Sequence, residues 1–214
     1  YTAGYDKSKN LWSDVQRITD DPLVDSNHQA AMDPAGNLYV TWQAFRGKTS
    51  DILVRVRKQG AWFPPLTVAH GQRNNWEPAM ALDSTGRAWI AWDTYRNGNY
   101  DVYLRSYKDG KFTDEVPVAT TQRFDARASV VVDRKDRVWV AWEQGDVNWG
   151  KDTGFTNPAK YQGKPLGGRR QLRVAVYANG RLQAPAQQPD DALNPGTASF
   201  QPRLFLDGNG NIGS

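Results

Sequence analysis

Apolar and polar residues alternate with period 2 through most of the chain, and the alternation returns at a step of 50 residues. AMDPAGNLYVTWQAF (31–45) and ALDSTGRAWIAWDTY (81–95) set Asp33 and Asp83, Gly36 and Gly86, and Trp42 and Trp92 at that step. VVDRKDRVWVAWEQ (131–144) continues it with Asp133 and Trp142. Leu38, Val40 and Trp42 share one face of a strand, as do Ala88, Ile90 and Trp92, and the opposite faces are largely apolar too. A strand apolar on both faces needs cover on both sides. Long helical periodicity is absent, and Gly, Pro, Asn and Asp clusters punctuate the chain at short intervals.

The second copy lays out four strands: A at 79–82, B at 88–92, C at 101–107 and D at 112–119. DSTG turns A into B and KDG turns C into D, with Gly110 matching Gly60. Four antiparallel strands in a unit of about 50 residues predict the blade of an all-β propeller, whereas a β-sandwich would not repeat side chains at one fixed step. Blades are expected at 27–69, 77–119 and 127–188, flanked by part-blades at 1–20 and 201–214, all in one domain. The first part-blade supplies strands C and D, because Trp12 stands 50 residues before Trp62. RLFLDGNGNIG (203–213) supplies strand A and the start of B, with Asp207 and Gly210 in the repeated places. Two arrangements follow: the part-blades pair and close a four-bladed ring without a free edge, or the chain is a segment of a larger propeller. As a half-ring it would form a homodimer.

Composition narrows the chemistry. Absence of cysteine excludes disulfides, thiolate metal sites and a cysteine nucleophile, and two histidines leave little material for zinc. No metal and no cofactor is expected. The 27 basic and 23 acidic residues are interspersed, which gives only a weak nucleic-acid signal. No apolar run approaches the roughly 20 residues of a membrane helix, and YTAGYDKSKN does not read as a signal peptide.

The residues resemble bacterial exported propeller repeats of the sialidase-like (BNR-like) and NHL or TolB-like kinds. The resemblance rests on DSTGRAWIAW followed by RNGNYDVYLRSYKDGKF, covers nearly the whole chain, and implies a secreted or periplasmic location. A true sialidase Asp-box, S-x-D-x-G-x-T-W between strands C and D, is absent.

Asp33, Asp83, Asp133 and Asp207 read as structural caps of their own turns, since no later glutamate completes a calcium loop of the EF-hand kind. Trp42, Trp92 and Trp142 read as packing between blades. Arg46 and Asp51 recur as Arg96 and Asp101, and both charges vanish together in the third copy, at Asp146 and Gln171. Joint loss predicts salt bridges bracing the B–C loop.

Function is expected on the face shared by D–A and B–C loops. The third copy carries a long basic and aromatic insertion there, 145–171, with Trp149 and Arg170. His28, Arg73, Trp76, Glu77, Arg123, Asp125, Arg127 and Glu143 are expected to join it as ligand-binding residues. Arginines, carboxylates and loop aromatics together suit an anionic glycan. A binding or interaction module is the main expectation. The alternatives are a glycoside hydrolase or polysaccharide lyase, which needs converging carboxylates or a base beside an arginine, and a scaffold for protein partners.

Overall fold

The computed structural model describes residues 1–147, 170–192 and 201–214. The chain opens with a two-stranded antiparallel sheet, β1 (Thr2–Asp6) and β2 (Leu11–Gln16). Blade 1 is β3 (Asp25–Met32), β4 (Leu38–Arg46) and β5 (Thr49–Lys58), with an outer edge split into β6 (Ala61–Trp62) and β7 (Leu66–Ala69). Blade 2 repeats it with β8 (Asn75–Leu82), β9 (Ala88–Thr94), β10 (Asp101–Lys108), β11 (Lys111–Phe112) and β12 (Val116–Ala119). Blade 3 is β13 (Arg123–Val132), β14 (Val138–Val147), β15 (Gln171–Ala178) and β16 (Arg181–Gln183). A short two-stranded sheet, β17 (Phe205–Leu206) and β18 (Ile212–Gly213), ends the described chain. The two part-blades stand as separate sheets and share no ladder among the described residues.

The outer edge divides where proline or acidic residues interrupt the pattern: Phe63, Pro64 and Pro65 in blade 1, and Thr113, Asp114 and Glu115 in blade 2. Proline has no N–H for the ladder, so Pro64 and Pro65 fit only such a break. First strands of successive blades lie side by side, β3 against β8 and β8 against β13.

Hydrophobic cores form between blades because each sheet is apolar on both faces. Trp92 and Ile90 of blade 2 pack on Ile52, Val54 and Val68 of blade 1. Trp142, Val138 and Val140 of blade 3 meet Val102, Leu104 and Val118 of blade 2. Trp42 and Val40 cover Ile18 beyond the first part-blade, and Leu204 packs beside Leu172 and Val174 of blade 3. Burial of a large side chain contributes about 1.5–3 kcal/mol, so these seams are the main glue between sheets.

The A–B turns are held from within. Each aspartate accepts the backbone N–H four residues on: Asn37 to Asp33 at 2.8 Å, Arg87 to Asp83 at 3.0 Å, Arg137 to Asp133 at 3.0 Å and Asn211 to Asp207 at 2.7 Å. Burial works against ionisation of Asp133, but hydrogen bonds from Trp139, Arg137 and Lys135 outweigh it and hold its pKa at about 2. The turn closes at a residue with φ of +80° at Gly36, +76° at Gly86 and +88° at Gly210, and +56° at Asp136. In blade 3 the non-glycine turn residue links sheets, because Asp136 accepts the Ser84 N–H at 2.8 Å and hydroxyl at 2.6 Å.

The expected Arg–Asp pairs are not formed. Arg46 bonds to Asp21 at 3.2 Å and Asp25 at 3.2 Å, while Asp51 faces His70 at 2.9 Å. Arg96 reaches Glu115 at 2.6 Å, and Asp101 accepts from Asn97 at 2.7 Å. Spacing of five residues placed each pair in one loop, but the register sets Asp51 opposite Ala44 and leaves Arg46 free to turn toward the preceding strand.

Candidate functional site

Each first strand is broken by a bulge near its start, where pairing slips between Ser26 and Gln29, Trp76 and Ala79, and Ala126 and Ser129. The bulged residues Asn27, Glu77 and Arg127 stand at the 50-residue step and have φ of +51°, +42° and +56°. Gln201, at the entry to the last part-blade, has φ of +48°. Left-handed backbone is unfavourable for side chains bearing a Cβ, so four such residues in equivalent places need support from outside their own strand.

That support comes from the residue after each repeated tryptophan. Gln43, Asp93 and Glu143 are buried, and each accepts the backbone N–H of the bulge in the following blade. Glu77 N–H reaches Gln43 Oε1 at 3.4 Å, Arg127 N–H reaches Asp93 Oδ1 at 3.1 Å, and Gln201 N–H reaches Glu143 Oε2 at 3.3 Å. Asn27 Nδ2 also donates to Gln43 Oε1, at 2.9 Å. One buried polar side chain per blade thus pins the next bulge.

Charge concentrates around blade 3. Arg127 Nη1 lies 3.0 and 3.3 Å from the two oxygens of Glu143, and Arg170 Nη1 lies 2.5 Å from Glu143 Oε1. Arg127 Nε is 3.9 Å from Glu77. Burial, reinforced by the Glu77 carboxylate, pushes Asp93 well above the usual carboxylate range, against the opposing Arg127 N–H and charge. Glu77 itself is half-exposed.

A cavity of about 340 Å³ opens between the bulges, lined by Asn27, Gln29, Glu77, Ser129, Gln201 and Arg203 among others. Its chemistry is carboxamides and a hydroxyl, one carboxylate and one guanidinium, well suited to an oxygen-rich ligand.

Of the expected site residues, Glu77 lines this cavity and comes together with Arg127, Glu143 and Arg170 in one chain of ion pairs. The others do not. Asp125 is fully buried and accepts from Trp142 Nε1 at 2.8 Å, Gln144 Nε2 at 2.9 Å and Thr121 Oγ1 at 2.6 Å, so its place in the ladder turns it into the blade and away from ligand. His28 lines a separate cavity of about 200 Å³ with Asp25 and Trp42, because the bulge at Asn27 turns it to the other side. Trp76 packs edge-on against Phe45 at 6.1 Å. Arg73 and Arg123 are exposed and do not line the central cavity. Trp149 and most of the 145–171 insertion lie outside the described residues. Sequence reasoning missed Asn27, Gln43, Asp93, Gln201 and Arg203, although 27, 77 and 127, and 43, 93 and 143, keep the repeat step.

No family model and no curated protein matches the chain. Solved structures do. The chain is similar to a protein of unknown function from Dyadobacter fermentans, with TM-score 0.58 and 14% identity over 97% of this chain and 61% of that one. It is also similar to the Penicillium chrysogenum α-L-arabinanase complexed with arabinobiose (TM-score 0.56, 13% identity, 83% of this chain and 54% of that one). A polysaccharide lyase of family PL25, an ulvan lyase, gives TM-score 0.60 and 15% identity over 88% of this chain and 48% of that one. The fold is that of a β-propeller, as a whole ring or as a segment of one. The chain spans about half to three-fifths of the length of these structures, and at such identities the likeness concerns fold alone.

Proposed function

We propose that the chain is a carbohydrate-binding propeller module that takes an anionic glycan in the cavity between the bulges. The observation that carries this reading is the lining itself. Arg203 forms no ion pair among the described residues and stands exposed at the cavity, ready to receive a carboxylate or sulfate. Asn27, Gln29, Gln201 and Ser129 offer paired donors and acceptors to sugar hydroxyls, and Glu77 accepts from them. Similarity to glycan-active propellers supports the choice of ligand class, and export is part of the same proposal.

Binding is favoured over turnover by the repeat. A glycosidase of the usual kind needs two carboxyl groups facing the scissile bond. Asp93 and Glu143 are carboxyl groups near the cavity, but both are buried tethers, and the same task is done in blade 1 by Gln43, which cannot act as an acid. Glu77 is left as the carboxylate that lines the cavity among the described residues.

Calorimetric titration with oligogalacturonates and with neutral arabino-oligosaccharides, alongside an assay for new reducing ends or unsaturated products, tests the proposal. Saturable binding of the acidic probe without turnover is expected, with Arg203→Ala weakening it while the fold holds. Turnover overturns the non-catalytic reading, and failure of both probes to bind overturns the carbohydrate reading.

A further inference from the structure

We infer that the bulge positions 27, 77 and 201 are the specificity-determining positions of this site, blades 1 and 2 and the last part-blade each presenting one interchangeable side chain to the ligand from a strained backbone. The inference rests on the binding role proposed above and deepens it.

Three observations converge. Asn27, Glu77 and Gln201 all line the cavity, although they come from different blades and are far apart in sequence. All three are non-glycine residues at positive φ, where glycine would be more comfortable. Their side chains add little to the architecture: Asn27 bonds to Gln43, Glu77 makes a 3.9 Å contact with Arg127 across partly exposed surface, and the tethers that hold the bulges use backbone N–H groups. A residue kept at an unfavourable φ, pinned through its backbone and exposed to a cavity, is held for what its side chain does there.

The seam behind them fits the same role. The Gln43 amide is fully buried, and its orientation is fixed because Glu77 N–H can only donate to its oxygen. Its Nε2 has no hydrogen-bond partner among the described residues, leaving an unused donor beside two of the three positions. The ligand groups that match are hydroxyls at Asn27 and Glu77 and an anionic group at Arg203.

Glycine and alanine variants separate this role from a structural one. Asn27→Gly, Glu77→Gly and Gln201→Gly relieve the backbone and remove the side chain, so each is expected to melt at or above the wild type while binding oligogalacturonate about tenfold more weakly, as loss of one good polar contact implies. Glu77→Ala keeps the strain and should lose affinity equally without that thermal gain. Glu77→Gln removes a negative charge from the cavity and should raise the affinity for oligogalacturonate relative to neutral arabino-oligosaccharide. Glycine variants that melt well below the wild type make the bulge side chains architectural and overturn the inference. So do variants that keep wild-type affinity and preference when the wild type binds. A wild type that binds neither probe overturns the binding proposal itself, and the specificity inference falls with it.

Discussion

Removal of the Glu143 carboxylate is the sharpest test of how the blade 3 end is held. Glu143 is fully buried and collects Arg127 at 3.0 Å, Arg170 at 2.5 Å and the Gln201 N–H at 3.3 Å. Glu143→Ala removes the carboxylate that Arg170, whose side chain is 7% exposed, meets at 2.5 Å, and orphans the N–H that fixes the Gln201 bulge. Breaking a buried pair from one side costs about 3–5 kcal/mol. Arg127 is 27% exposed and still faces Glu77, which places the expected loss at the lower end of that range. For a chain of this length about 2–4 °C of Tm accompanies each kcal/mol, so thermal unfolding should show a drop of about 10 °C. Replacing both partners, as Glu143→Met with Arg170→Met, removes the buried guanidinium together with its carboxylate and should restore most of the loss, with strong non-additivity in a double-mutant cycle. A Glu143→Ala variant within about 1 kcal/mol of wild type, or a cycle additive within about 0.5 kcal/mol, would refute the reasoning.

Other consequences follow from the tethers and turns. Asp93 has a folded pKa raised above its unfolded value, so the folded state holds the extra proton between the two, and stability is lost as pH rises through that window. Asp93→Asn keeps an acceptor for the Arg127 N–H without the titration; it should stabilise the protein at about pH 7–8 and give no such gain at about pH 4, read from urea unfolding at each pH. Asp133 behaves oppositely: with a pKa of about 2 its contribution is present at neutral pH and fades as pH falls from about 4 toward 2, and Asp133→Asn should cost about 2 kcal/mol at pH 7. The tryptophans also differ by blade. Trp142 Nε1 donates to Asp125 at 2.8 Å, but Trp92 Nε1 has no partner among the described residues, where Asn75 replaces the aspartate. Trp142→Phe should therefore destabilise by about 1 kcal/mol more than Trp92→Phe in chemical denaturation.

Blades were legible because their information is local and repeated. Period 2, turn glycines and the D-x-x-G step each report on a strand and its own hairpin, and those features fix β8 to β10 without reference to any neighbour. The site was legible only in part, because its geometry belongs to pairs of blades. Glu77, Arg127 and Glu143 could be picked out as charged residues near loops. Nothing within one repeat says that the residue after the tryptophan pins the next blade's bulge. Asp125 shows the cost of reading one copy alone: as a loop carboxylate it looks available, yet its counterpart Asp25 also accepts from the blade's own tryptophan, Trp42 Nε1 to Asp25 Oδ1 at 3.0 Å. The Arg46 and Asp51 expectation fails for a related reason: joint variation in sequence does not imply contact, and Arg46 meets Asp21 and Asp25 while Asp51 meets His70.

The tether positions show how a repeat fold separates support from recognition. Gln43, Asp93 and Glu143 differ in charge but accept the same kind of N–H, so the bulge survives each change of residue. What changes with them is the local electrostatics: a neutral amide behind Glu77, a carboxyl whose pKa burial pushes up behind Arg127, and a paired carboxylate behind Gln201. A carboxylate in place of Gln43 would set a second acidic group directly behind Glu77, whereas the amide adds no charge there. The identity of each tether is thus coupled to the side chain in front of it, and Gln43→Glu should weaken a hydroxyl-bearing ligand at Glu77 even though the backbone hydrogen bond is kept.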